Sequence, residues 1–201
     1  MHPFRLAFAL TLLPLLSLPA RAEIGVRAIS DYLNGFRTAT AAFTQVNADG
    51  TISTGDLTLR RPGRARFDYD PPNKGLVIAG GGQVAIFDPV SNTPPEQYPL
   101  RQTPLNLILA DRVDLGRSNM VVRHGGDATQ TAITLQDPEN PQYGNIQLVF
   151  TPDPVTLRQW VITDDAGSQT TVILGDMQTD VSLGGGLFNI PQELQRRGLS
   201  E

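Results

Sequence analysis

Across residues 24–34 and just beyond, apolar side chains fall at Val26, Ile29, Leu33 and Phe36. Their intervals of three, four and three line one face of a helix, and Gly35 marks its C-terminal stop. From Ala39 onward the period changes to two. Short runs rich in Val, Ile, Thr and Phe recur between Gly, Pro and Asp turns, the pattern of antiparallel β-structure. Eleven strands are predicted, at residues 41–47, 55–61, 65–69, 75–79, 84–88, 120–123, 128–136, 146–150, 157–163, 170–174 and 187–190. The links Arg61-Pro62-Gly63-Arg64, Gly80-Gly81-Gly82, Gly125-Gly126 and Asp165-Ala166-Gly167 carry turn chemistry, so most neighbours in sequence are expected to be neighbours in the sheet. The expected fold is all-β, an incomplete antiparallel barrel or deeply curved sheet with a few short helices.

One segment interrupts the alternation. After the proline-rich residues 94–99 comes Thr103-Pro104-Leu105-Asn106-Leu107-Ile108-Leu109-Ala110, where Thr103 is placed to cap a short helix and Pro104 to open it. Leu105, Leu107, Ile108 and Leu109 make it apolar nearly all round, so it must lie against apolar surface on more than one side.

Strand parity separates two faces. Leu57, Leu59 and Arg61 share one face, with Asp56, Thr58 and Arg60 on the other; Ala65, Phe67 and Tyr69 then alternate with Arg64, Arg66 and Asp68. Arg61 therefore falls on the apolar side. Its donors suit the free carbonyls at the C-terminal end of a helix. The alternative is that Pro62 turns the chain and Arg61 reaches water. On composition alone this face reads as an ordinary filled core, as every half-buried sheet does.

Arg5 precedes an apolar run through residues 6–18, and Ala20-Arg21-Ala22 follows, so residues 1–22 read as a signal peptide cleaved after Ala22. The run is broken by Pro14 and is shorter than the roughly 20 residues needed to span a bilayer. Residues 23–201 then form one domain. Of the 16 Lys and Arg in the chain, Arg5 and Arg21 leave with the leader and no carboxylate does, so 14 basic face 20 acidic residues, a net −6. That balance argues against nucleic acid and against non-specific adhesion to anionic lipid. No cysteine is present, so stability must come from core burial, and the cysteine to which a bacterial lipoprotein anchor is attached is missing. His124 beside Gly125-Gly126 reads as a solvated turn residue, and Asp164 and Asp165 read as structural turn residues. No H-E-x-x-H pair, G-x-S-x-G elbow or phosphate loop occurs. No catalytic residue, metal ligand or cofactor is expected.

Three stretches in order resemble the outer-membrane lipoprotein carrier family, LolA. They are Leu33-Asn34-Gly35-Phe36 leading to Ala42-Phe43-Thr44-Gln45; Gly55-Asp56-Leu57-Thr58-Leu59-Arg60-Arg61-Pro62 with Arg66-Phe67-Asp68-Tyr69 and Pro71-Pro72; and Ala85-Ile86-Phe87-Asp88-Pro89 with Thr103-Pro104-Leu105. The chain departs from the pattern at Ala65 and Phe67, where that family often carries a bulky aromatic and a tryptophan. The resemblance implies a hydrophobic cavity under a lid of short helices that opens for the acyl chains of lipoproteins. It maps the arginine that bonds the lid onto Arg61. Cavity and lid residues would be Leu33, Phe36, Phe43, Leu57, Leu59, Phe67, Tyr69, Leu105, Ile108 and Leu109. It further implies a periplasmic, monomeric carrier loaded by an inner-membrane ABC extractor and unloaded by an outer-membrane receptor. Alternatives are a lipid- or lipoprotein-sensing module on the same fold and, further off, a hydrolase or a small outer-membrane barrel. The barrel is disfavoured because the strands lack aromatic girdles.

Overall fold

The computed structural model of the protein describes residues 23–199 except 92 and 118; the leader expected at residues 1–22 lies outside them. The helix expected first is α1 (Val26–Asn34), which buries Ile29 and Leu33 and stops at Gly35. Twelve strands follow: β1 (Thr38–Val46), β2 (Ile52–Arg60), β3 (Arg64–Tyr69), β4 (Leu76–Gly80), β5 (Gln83–Phe87), β6 (Glu96–Pro99), β7 (Val121–Gly126), β8 (Thr131–Gln136), β9 (Asn145–Thr151), β10 (Thr156–Thr163), β11 (Gln169–Leu174) and β12 (Gln178–Thr179). A 3-10 turn at Leu100–Gln102 and the short α2 (Leu105–Leu109) sit between β6 and β7, and α3 (Ile190–Arg197) ends the fold.

The sheet is antiparallel in the order β6-β5-β4-β3-β2-β1-β11-β10-β9-β8-β7, with β12 paired to β1. Its edges, β6 and β7, do not pair with each other, so the barrel is open. The sheet nevertheless curls strongly. Phe67 on β3 and Trp160 on β10 lie four strand steps apart, about 19 Å in a flat sheet, yet their ring centroids are 6.3 Å apart. The inner face carries one continuous apolar cluster that takes in α1, α2 and strands from β1 to β11.

Departures from the sequence reading have local causes. The apolar residues 187–190 do not form a strand. Asn189 accepts from the Gln192 N–H, Pro191 occupies the first turn and Gly198 closes the helix at φ 67°, so the chain turns into α3. Ile190, with Leu194 packed beside it, then covers Leu76, Ile78, Ala85 and Phe87 on the outer face of β4 and β5. This explains why Leu76-Val77-Ile78-Ala79 reads as an unbroken apolar run: β4 is covered on both sides. Strands β6 and β12 were not legible, being a proline-bounded edge and a pair of residues.

Gly125 and Gly126 are not a turn but the end of β7, where Gly126 pairs with Thr131. A side chain on Gly126 would collide with the backbone of Gln130 and Thr131. The turn is made instead by Asp127, whose carboxylate accepts from the N–H groups of Thr129 and Gln130. His124 is accordingly no solvated turn residue. Its side chain is 17% exposed, with Nε2 2.9 Å from the Ile24 carbonyl.

Candidate functional site

Beside the N-terminal end of α2 the inner face leaves a hollow of about 650 Å3, within the range of roughly 300–1,000 Å3 usual for ligand pockets. Phe67 and Tyr69 of β3, Val77 of β4, Val84 and Ile86 of β5 and Trp160 of β10 supply apolar wall, and Pro104 and Leu105 overhang it. Asp164 and Asp165 stand at its rim, and none of its described lining residues is Lys or Arg. Asp164 also does the turn work expected of it, accepting from the N–H groups of Ala166 and Ser168. Tyr69 donates to Gln45 Oε1 at 2.7 Å; burial raises its pKa further than that hydrogen bond lowers it, so the phenol stays neutral.

Two helices cover the rest of the inner face, and polar bonds join them to each other and to the sheet. Asn34, at the end of α1, exchanges two hydrogen bonds with the backbone of Val113, beyond α2. Ser30 Oγ accepts from the Leu115 N–H at 3.1 Å, and Arg37 pairs with Asp111. The three-residue loop Arg61-Pro62-Gly63 between β2 and β3, with Gly63 at φ 67°, holds both helices. The Gly63 N–H donates to the Leu109 carbonyl at 2.8 Å, at the C-terminal end of α2. The Arg61 N–H donates to Arg37 O at 2.8 Å, and Arg61 Nη2 donates to Phe36 O at 2.7 Å.

Arg61 is 5% exposed, so the parity reading holds and the exit to water is excluded. Its guanidinium lies 5.2 Å from the centroid of the Phe36 ring, an attraction worth about 0.5–2 kcal/mol. Burial foremost, then the like charge of Arg37, push its pKa down against the opposing pull of Asp111, though a guanidinium remains charged. Among the described residues Nε and Nη1 find no acceptor, and each unmet buried donor costs about 1–3 kcal/mol.

All the residues expected in cavity and lid come together in the one inner cluster, with Tyr69 only partly buried. They divide in two. Phe67, Tyr69 and Leu105 line the hollow, whereas Leu33, Phe36, Phe43, Leu57, Leu59, Ile108 and Leu109 are buried in the packed cluster beyond it. The inner face is thus partly filled by the helices and partly empty. Thr103 does not cap α2: its hydroxyl donates back to Leu100 O at 2.8 Å, and Pro104 is the residue before the helix. Trp160 was missed. The available signal was a lone indole sharing strand parity with Ile162, another lining residue. Among the described residues no cluster of His, Cys, Asp and Glu could hold a metal, and no helix is long and apolar enough to cross a membrane.

The family model described as outer membrane lipoprotein carrier protein LolA matches residues 34–191. An outer-membrane lipoprotein carrier protein of Pseudomonas aeruginosa is 27% identical over 167 residues, 79% of each chain. Its namesake from Chromohalobacter salexigens is 26% identical over 206 residues, 96% of each chain. Among solved structures, a LolA superfamily protein from Nitrosomonas europaea superposes with a TM-score of 0.43 at 10% identity, over 83% of this chain and 98% of that one, a likeness too distant to carry an argument. The family match runs from the last residue of α1 into the first turn of α3, and on that ground the chain belongs to the LolA family of outer membrane lipoprotein carrier proteins.

Proposed function

We propose that the protein is a non-enzymatic periplasmic carrier that shields the acyl chains of lipoproteins in this hollow. An inner-membrane ABC extractor would load it and an outer-membrane receptor unload it, after a leader is removed behind Ala22. The observation that carries the reading is an apolar hollow on the inner face, beside helices that fill the rest of that face and are held by a small number of polar bonds.

Energetics favour a reversible lid. Each acyl methylene taken out of water is worth about 0.8 kcal/mol, so ten give about 8. Closing the lid buries Ile29, Leu33, Leu105, Ile108 and Leu109 at about 1.5–3 kcal/mol each, the same scale. Cargo entering under the helices exchanges one apolar contact for another, and a ligand shifts the equilibrium only by its differential affinity for open and closed forms. Arg61 acts as the latch: it favours closure through Phe36 O, yet its two unmet donors keep that closure shallow. Asp164 and Asp165 at the rim, with no Lys or Arg among the described lining residues, disfavour anionic phospholipid headgroups over the uncharged head of an acylated cysteine.

Mass spectrometry of protein purified without detergent tests the reading. Co-purifying acylated peptide or lipid is expected; a lipid-free protein that takes up no acylated peptide when offered one would refute it.

A further inference from the structure

The chain has one tryptophan. Trp160 is 1% exposed and contributes to the wall of the hollow, its ring meeting that of Phe67 edge to face, with planes at 90°. An indole N–H donates and cannot accept, and a buried one ordinarily has a partner. Here Nε1 is buried with no acceptor among the described residues. Its partners in register on the flanking strands are the aliphatic Leu148 and Val172.

An unmet buried donor costs about 1–3 kcal/mol, which phenylalanine at this position would avoid while keeping the ring contact. No described residue meets this donor, so an acceptor brought in by bound cargo would relieve the cost. Polymethylene offers none. In an acylated cargo the acceptor that accompanies the chain into an apolar hollow is the carbonyl oxygen of its ester or amide head. Tyr69, the neighbouring phenol, is already committed to Gln45. We propose that the Trp160 Nε1–H is the binding-site donor for the acyl carbonyl of bound cargo, so that it sets how deep the chain sits and favours acyl over plain alkyl ligands. This assignment rests on the carrier reading above.

The lone indole gives a single Nε1–H resonance, which makes the test specific. The purified protein is titrated with a synthetic tripalmitoyl-cysteinyl lipopeptide, and separately with an analogue in which plain alkyl links replace its ester and amide groups. Lipopeptide, but not analogue, is expected to move the indole proton downfield. Trp160→Phe is expected to weaken the lipopeptide about 2- to 10-fold, the equivalent of one net hydrogen bond, and to leave the analogue unchanged. The proposal is overturned if the lipopeptide binds without moving the indole proton, which is the result if a trapped water already holds that donor, or if Trp160→Phe weakens both ligands equally. The carrier reading survives either result. If neither ligand binds the wild-type protein, the carrier reading fails and this proposal fails with it.

Discussion

Asn34 closes a ring of two hydrogen bonds on Val113: its Nδ2 donates to the Val113 carbonyl at 2.7 Å, and its Oδ1 accepts from the Val113 N–H at 3.0 Å. The last residue of α1 is thereby fastened to the chain that leaves α2, so the two helices are coupled as one cover. Their remaining ties to the sheet include the two bonds from the Arg61-Pro62-Gly63 loop to Phe36 and Leu109. Carrier behaviour depends on how these two sets of bonds compare.

Asn34→Ala should uncouple the helices and lower stability by about 1–2 kcal/mol, the net worth of two hydrogen bonds. Asn34→Asp keeps the acceptor but sets a carboxylate oxygen against the Val113 carbonyl, so it should not restore wild-type stability. Urea unfolding midpoints measure both; an alanine variant as stable as wild type would show that the ring does not couple the helices.

Arg61→Leu removes the bond to Phe36 O together with a buried charge that has two unmet donors. Without that bond closure weakens, and apolar surface is added to the interior. Bound lipopeptide should dissociate about 5- to 30-fold more slowly, equivalent to about 1–2 kcal/mol. Delivery to the outer-membrane acceptor at the wild-type rate would rule out the latch.

Gly80→Ala places a methyl group on the Phe188 carbonyl, where the chain enters α3. Backbone cannot yield as a flexible side chain does, so α3 should lift from β4 and β5. Hydrogen exchange is expected to accelerate across α3 while α1 keeps its protection. Unchanged protection in α3 would mean that the helix does not depend on this close approach.

Glu193, 6% exposed, lies among Arg66, Arg196 and Arg197. Burial alone would raise its carboxyl, but the hydrogen bonds from Arg196 and Arg197, with the charges of Arg196 and Arg66, outweigh burial and hold it below the usual glutamate range. A depressed carboxyl contributes stability that is complete above the unfolded value of about 4.3 and is lost as pH falls through the lower folded value. The gap in stability between wild type and Glu193→Gln should therefore be constant near neutrality and shrink below about pH 4. Denaturation at a series of pH values reads it, and a gap that widens on acidification would contradict the sign.

The carboxylates of Asp127 and Asp137 are held low by hydrogen bonds from Thr129 and Asn140 respectively, and both sit in turns that terminate strands.

Much of the architecture was already present in side-chain period. Alternation put Leu57, Leu59, Phe67 and Arg61 on one face, and three-four spacing put Ile29 and Leu33 on one stripe of α1, because burial acts on a whole face of an element at once. Most strand neighbours followed from turn residues between short runs, but the pairing of β1 with β11 and the placing of β6 and β7 at opposite edges did not. Tertiary structure decided the rest. Whether Leu33 and Phe36 leave space or fill it depends on volumes from strands far apart in sequence, so the division between packed core and hollow has no local signal. The acceptor for Arg61 is a carbonyl 25 residues away, and the unmet donor of Trp160 is defined only by the neighbours that folding supplies. Periodicity also misassigned residues 187–190, because apolar residues buried on the outer face before a helix carry the same pattern as a strand, and only the surface they meet distinguishes the two.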